Sequence, residues 1–273
     1  MSSSVKRRFV ETRSGTVHVA EAGSGAPVLL LHQTPRSWDE FRDALPLIGR
    51  RYRAIAMDTR GFGDSEPLPD GCVSIEGWAD AAIDLADALG LTNFAIAGHH
   101  TGGVIALDVA ARYPNYINRL ILSATSFIDA ERRARHQGHR VIDEVAERAD
   151  GEHLAELWQR RRPHYPADGN AELLTRFMRD ALKAGSLAVE GHRAVNRYRM
   201  EDTVGLVRCP TLILAPMEDP HAYPSAPRLA AAIAGAVVQD IPGAMVPFPD
   251  QMPQVFADAI CAFLDGDAAR PRT

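Results

Sequence analysis

Residues 94–114, FAIAGHHTGGVIALDVAARYP, leave the chain few folds to choose from. FAIAG (94–98) is apolar on both faces, as a strand is when helices cover both sides of its sheet. TGGVIALDVAARYP (101–114) has helical spacing and is closed off by Pro114. The strand passes into the helix within a few residues, so the turn is sharp. Gly98 and Gly102 bracket it and remove the Cβ atoms that would hold the two backbones apart. Strand-to-helix turns of this kind belong to doubly wound parallel sheets, which place their ligands beyond the carboxyl ends of the strands.

The rest of the chain repeats the alternation. TVHVAEAG (16–23), PVLLLHQ (27–33), RAIAMD (53–58), INRLILSAT (117–125), CPTLILAP (209–216) and AVVQDIPG (236–243) read as strands. IEGWADAAIDLADALG (75–90), with Gly90 as its C-cap, reads as a helix, as do SAPRLAAAIAG (225–235) and QVFADAICAFLDG (254–266). From 127 to 203 no good strand appears, and helical stretches rich in Arg, Glu and Ala take over. The expected fold is α/β: a doubly wound, mostly parallel sheet built from 1–126 and 204–273. A helical cap, 127–203, is inserted after the sixth strand. The 273 residues suffice for one such domain with its insertion.

Composition narrows the function classes. A net charge of -5 without a basic arm or stripe argues against a nucleic-acid partner. No run of eighteen apolar residues predicts a membrane span, and the N-terminal MSSSVKRRFVETRSG lacks a secretory apolar core. Cys72, Cys209 and Cys261 are odd in number and far apart. That suits a cytoplasmic location and excludes a disulfide framework or a cysteine-based zinc site. The expected partner is a small molecule, with association into a homodimer left open.

Five segments, in order, resemble the α/β-hydrolase fold superfamily along nearly the whole chain. LLHQTPRSW (30–38) resembles its His-Gly oxyanion loop, and AMDTRGFGDSEP (56–67) its Asp-x-x-Gly-x-Gly-x-Ser turn. GHHTGG (98–103) resembles the Gly-x-Ser-x-Gly-Gly nucleophile elbow. LILAPMEDP (212–220) resembles the strand that presents the catalytic acid, which puts Asp219 at the acid position. IPGAMVPF (241–248) resembles the loop that carries the catalytic histidine. The departures are as informative. The nucleophile position holds His100, the base position Val246 and the oxyanion-glycine position Gln33. Of the triad that the resemblance implies, Asp219 alone is present, so Ser-His-Asp acyl transfer lacks two of its groups.

An imidazole on the elbow projects further than a serine side chain, and Val246 leaves room beside Asp219. The expectation is that His100 reaches across to Asp219 and acts as general base or nucleophile, with no cofactor and no metal. The substrate would be a small, partly apolar carbonyl compound: an ester, a lactone or a C–C bond next to a carbonyl. Lyase, decarboxylase or cyclase chemistry on the same site is an alternative, and so is a catalytically dead small-molecule binder. Thr101 and the loop at Gln33 would supply oxyanion N–H groups. His32 is assigned to bracing that loop, and Trp38 and Phe62 to lining an apolar pocket. His192 or Tyr198, from EGHRAVNRYRMED (190–202), would face substrate. His99 reads as a packing residue, Asp58 and Arg60 as loop organisers, and a zinc cluster of His32, His99 and His100 as disfavoured. The cap carries His136, His139, His153, His164 and His192 with balanced formal charge. Its QRRRPHYP (159–166) reads as a solvated face with a local capacity to attract a carboxylate.

Overall fold

The computed structural model of the protein describes residues 4–69, 73–167 and 171–266. Cys72 lies outside them; Cys209 and Cys261 are free thiols. Among the described residues, eight strands form one sheet in the order β1-β2-β4-β3-β5-β6-β7-β8. β1 (Lys6–Thr12) and β2 (Gly15–Ala22) make an antiparallel hairpin, and β2 is antiparallel to β4 (Arg53–Met57). β3 (Pro27–Leu31), β5 (Phe94–His99), β6 (Ile117–Ser123), β7 (Thr211–Pro216) and β8 (Val237–Ile241) join β4 in parallel. β5 and β7 are buried at every position, as their unbroken apolar runs require.

Sequence reasoning did not identify β1. Its residues, KRRFVET, are exposed but for Val10 and the partly buried Thr12. Such an edge strand carries no two-sided apolar signal. It is held by its ladder to β2 and by the pair between Arg8 and Glu21, whose Nε and Oε1 are 2.7 Å apart.

Among the described residues, ten α-helices cover the sheet or lie between its strands: α1 (Leu45–Ile48), α2 (Ile75–Ala88), α3 (Thr101–Arg112), α4 (Ala130–His136), α5 (Glu152–Arg161), α6 (Ala171–Ala184), α7 (Leu187–Arg197), α8 (Ala226–Ala232), α9 (Phe248–Gln251) and α10 (Pro253–Leu264). α2 starts where Ser74 Oγ accepts the Gly77 N–H at 3.0 Å, an N-cap that satisfies one of the four free donors of a first turn. It stops before Gly90, whose φ of 67° is cheap for glycine. One face of the sheet packs α2, α3 and α8 through residues such as Trp78, Ile105 and Leu229. The other packs α1 and α10 through Leu45, Phe256 and Ile260.

α4 to α7 fall between β6 and β7 in the chain. α5 and α6 share a small core of Leu157, Leu173, Leu174 and Phe177. A buried ionic cluster ties α6 to the loop after β3. Arg176 Nε meets Asp39 Oδ2 at 2.7 Å, Arg36 Nε meets Asp180 Oδ2 at 2.8 Å, and Arg36 Nη1 meets Asp250 Oδ2 at 2.5 Å. Buried charges are tolerated only when paired, so this cluster fixes one position of the helices over the sheet.

Candidate active site

The turn after β5 carries the site. His100 has φ 48° and ψ −111°, a strained conformation for a non-glycine residue. The surrounding backbone enforces it. The His100 N–H donates to Ser123 O at 2.9 Å, and its carbonyl accepts from Gly103 N–H at 3.0 Å. A Cβ on Gly98 would lie 2.0 Å from Gly102 O, and one on Gly102 would lie 1.9 Å from Leu31 O. Gly102→Ala is therefore expected to cost about 3 kcal/mol or more by forcing strand and helix apart, measured by chemical denaturation. A loss under 1 kcal/mol would mean that the turn is not tightly packed.

His100 Nε2 stands 2.7 Å from Asp219 Oδ2. The contact is close enough for charge attraction, although it lies outside hydrogen-bond alignment. Asp219 follows β7 and is fully buried. Its Oδ1 accepts the N–H groups of His221 at 2.9 Å and Ala222 at 3.1 Å. Burial works to raise its pKa. His100 and the two N–H donors outweigh burial and hold the carboxylate down at about 2.

The neighbour His99 is also fully buried and does something different. Its Nε2 is 2.8 Å from Val246 O and its Nδ1 is 2.9 Å from Ser123 Oγ. A carbonyl only accepts, so Nε2 carries the proton and Nδ1 accepts from the serine hydroxyl. Burial, then His100, pushes the His99 pKa well below that of a free imidazole, which keeps it neutral. His99 thus pins the loop containing Val246 beside the elbow. His99→Leu would orphan both partners and is expected to lower stability by about 1–3 kcal/mol. Unchanged stability would show that the Val246 loop is held by other contacts.

His100 lies at the floor of a cavity of about 340 Å³. From the sheet side, Thr34, Thr101, Val104, His221 and Val246 line it; from the segment between β6 and β7, Arg132, Ile142, Arg161, His164 and His192 do. Gln33 also touches the cavity, but its backbone N–H, the oxyanion donor that the sequence suggested, is already taken. Its N–H donates to Glu40 Oε2 at 2.9 Å and its side-chain amide to Glu40 Oε1 at 2.6 Å. Burial raises the pKa of Glu40 to about 8 against the pull of Arg36 and of these donors. The Thr34 N–H, one residue on, donates to no acceptor among the described residues. The Thr101 N–H sits in the first turn of α3, where it has no intrahelical acceptor.

Several other expectations need correction. Trp38 is not at this cavity. It borders a separate hollow with Arg7, whose guanidinium lies 5.1 Å from the ring centroid. Tyr198 is buried with its hydroxyl on Asp108 at 2.8 Å and Thr203 at 2.6 Å, so it secures the end of α7 to α3. Phe62 packs in the core against Trp78 and His32. His32 sits behind the loop: Nδ1 is 2.8 Å from Gln33 O, and Nε2 accepts the Thr59 N–H at 2.9 Å. His32 and His99 have both ring nitrogens engaged within the protein, so neither is free to join His100 on a zinc ion. His192 does reach the cavity, with Nε2 2.8 Å from Asp143 Oδ2. In QRRRPHYP, Arg161 is buried against Asp143 and His164 faces the cavity, while Arg160 pairs with Glu156.

Asp58 and Arg60 organise their loop. Asp58 accepts from Trp38 N–H at 2.6 Å and Asp64 N–H at 2.9 Å, and Arg60 donates to Ser14 O at 2.6 Å and Pro67 O at 2.6 Å. His18, Asp58 and Asp64 bring donor atoms together as a metal site would. Asp64 already pairs with Arg7 and Lys183, however, and Asp58 with His18. Sequence reasoning missed Thr34, Glu40, Arg132 and His221. Thr34 lies within LLHQTPRSW and His221 directly after LILAPMEDP, next to the positions singled out; Glu40 and Arg132 lie in no motif and are brought to the site by the tertiary fold.

Similarity to known proteins agrees with the architecture. The chain is 32% identical over 122 residues to a soluble epoxide hydrolase of Corynebacterium sp. (strain C12), covering 45% of this chain and 42% of that protein. It is 32% identical over 109 residues to 2-hydroxymuconate semialdehyde hydrolase of Pseudomonas sp. (strain CF600), covering 39% and 38%. The matched regions thus span under half the length of these curated relatives. An esterase of Thermogutta terrifontis superposes with a TM-score of 0.79 at 24% identity over 96% of this chain and 99% of that one. The enol-lactonase of Burkholderia xenovorans LB400 gives 0.78 at 18% over 94% and 100%. At such identities these two likenesses speak to fold alone. No helix among the described residues is long and apolar enough to cross a membrane. A family model of the alpha/beta hydrolase fold matches residues 26–248, and the chain belongs to that family.

Proposed function

We propose that this protein is a cofactor-free hydrolase of a small, partly apolar carbonyl compound, with His100 and Asp219 in place of a Ser-His-Asp triad. The observation that carries the reading is the 2.7 Å approach of His100 Nε2 to Asp219 Oδ2 at the floor of the cavity. A carboxylate beside Nε2 favours the tautomer with its proton there. Nδ1, with no partner among the described residues, is then free as the base. It takes a proton from water as the water oxygen bonds to the carbonyl carbon. The oxyanion forms against the N–H groups of Thr34 and Thr101. Collapse breaks the bond to the leaving group, which receives the proton from the imidazolium. The helices between β6 and β7 act as a lid that limits bulk water. In the variant with the ring as nucleophile, Nδ1 bonds to the carbonyl carbon, the bond to the leaving group breaks and that group takes the proton that Nε2 gives up, and water then hydrolyses the acyl-imidazole to release the acid and the free ring.

The same base, with no hydroxyl nucleophile at the elbow, equally serves proton abstraction next to a carbonyl, so lyase or cyclase turnover belongs in the same screen. The test is a panel of activated esters, lactones and β-dicarbonyl compounds assayed against pH. Turnover that is lost in His100→Ala is expected, and rapid acid quench with mass spectrometry finds acylated His100 only if the ring is the nucleophile. A serine-directed phosphonate is expected to leave the protein unlabelled; stoichiometric labelling in the cavity would relocate the nucleophile. Stabilisation by ligands without any turnover would make the protein a binder instead.

A further inference from the structure

The walls of the cavity carry one charge that nothing balances. Arg161 faces it but is paired with Asp143, Nε to Oδ1 at 2.6 Å, and Arg140 is paired with Glu156 at 3.0 Å. Arg132 makes no ion pair among the described residues, and its Nε is buried without a hydrogen-bond partner. The acids close by are committed elsewhere: Asp129 to Arg228 and to the backbone N–H of Arg132, Asp219 to His100 and two N–H groups, Asp143 to Arg161 and His192. The imidazoles around Arg132 do not share the charge. Burial and then His221 lower the His164 pKa to about 4. His136 and His221 are lowered as well, chiefly by burial and in part by Arg132 itself. Val104, Ile142, Val195 and Val246 add apolar surface to the lining.

An unpaired guanidinium facing an enclosed space is costly without an anion, and it offers a planar fork that fits a carboxylate. One uncompensated positive charge matches one negative charge, not the two of a phosphate monoester dianion. We propose that the ligand of this cavity is a monocarboxylate with a compact apolar body, its carboxylate held by Arg132 and its reacting carbonyl presented to His100. This deepens the catalytic reading for the same cavity, but its first half can be tested without turnover.

The experiment is calorimetric titration of phenylacetate, phenylacetamide and phenyl phosphate into the wild-type protein and into Arg132→Gln, Arg132→Lys and His100→Ala. Phenylacetate is expected to bind at least tenfold tighter than the isosteric amide. Arg132→Gln is expected to erase that preference, by about 10- to 100-fold in Kd for the acid with little change for the amide. Arg132→Lys, which keeps the charge and loses the fork, falls between and is read instead if the glutamine variant does not fold. His100→Ala is expected to keep the preference even where turnover is gone, which separates this proposal from the catalytic one. The proposal is overturned if phenylacetate does not bind, if the amide binds equally well, if the preference survives both substitutions at Arg132, or if phenyl phosphate binds more tightly than phenylacetate.

Discussion

His100→Ala is expected to lower kcat/KM for the best substrate of an ester and lactone panel by about 10²–10⁴-fold, the usual contribution of a positioned base. The alanine variant keeps the cavity walls and both oxyanion N–H groups, so binding should survive within a few-fold and the loss should fall on kcat. His100→Gly sharpens the test. Glycine at φ 48° carries no strain, whereas the wild-type residue does. The glycine variant is therefore expected to be at least as stable as wild type while losing the same activity, and added imidazole should restore part of the rate. A histidine that merely fills space would give the opposite pair of results, lower stability and unchanged turnover. Activity within threefold of wild type in both variants would falsify the role assigned to His100.

The elbow and the acid were legible in the sequence because each rests on local chemistry. Gly98 and Gly102 are dictated by a turn in which a Cβ would meet backbone oxygen at 2.0 Å and 1.9 Å. Asp219 follows an apolar strand whose burial is complete, and both patterns are contiguous in the chain. The oxyanion donors were less legible. Gln33 occupies the expected place in the loop, yet Glu40, seven residues on, captures its backbone N–H and one N–H of its side-chain amide, and only the folded loop reveals that competition. Trp38 and Tyr198 are aromatic and near the right segments. Which way a side chain turns depends on partners such as Arg7 and Asp108 that come from distant segments. Arg132 is harder still. Its importance is that it lacks a partner, and a missing ion pair leaves no mark in a sequence whose insertion has matching numbers of acids and bases. The β1 strand escaped for a related reason: charged side chains on an edge strand satisfy the solvent rather than a core.

Asp219→Asn is expected to leave a folded protein whose turnover falls by about 10²–10⁴-fold, because the amide neither stabilises an imidazolium nor favours the Nε2–H tautomer. The carboxylate also contributes to stability, and the sign follows from its pKa. Asp219 is held at about 2 in the folded state against an ordinary 3.8, so folding favours its ionised form. The resulting stabilisation, about 2 kcal/mol for a difference of this size, is fully present above pH ~4 and is lost as pH falls toward 2. The asparagine variant has no such term. Its stability deficit relative to wild type should be largest at pH 5–7 and should shrink below pH 4, as read by urea denaturation across that range. The two losses need not move together. Exchanging His100 for alanine in the wild-type background removes the chief favourable partner of the carboxylate. The acid-dependent part of the stability should then diminish in that variant, whereas the two backbone N–H bonds to Oδ1 remain. A double-mutant cycle on His100 and Asp219 should accordingly show strong non-additivity in both activity and acid stability. Additive effects in activity would mean that the two groups, 2.7 Å apart, do not act as a unit.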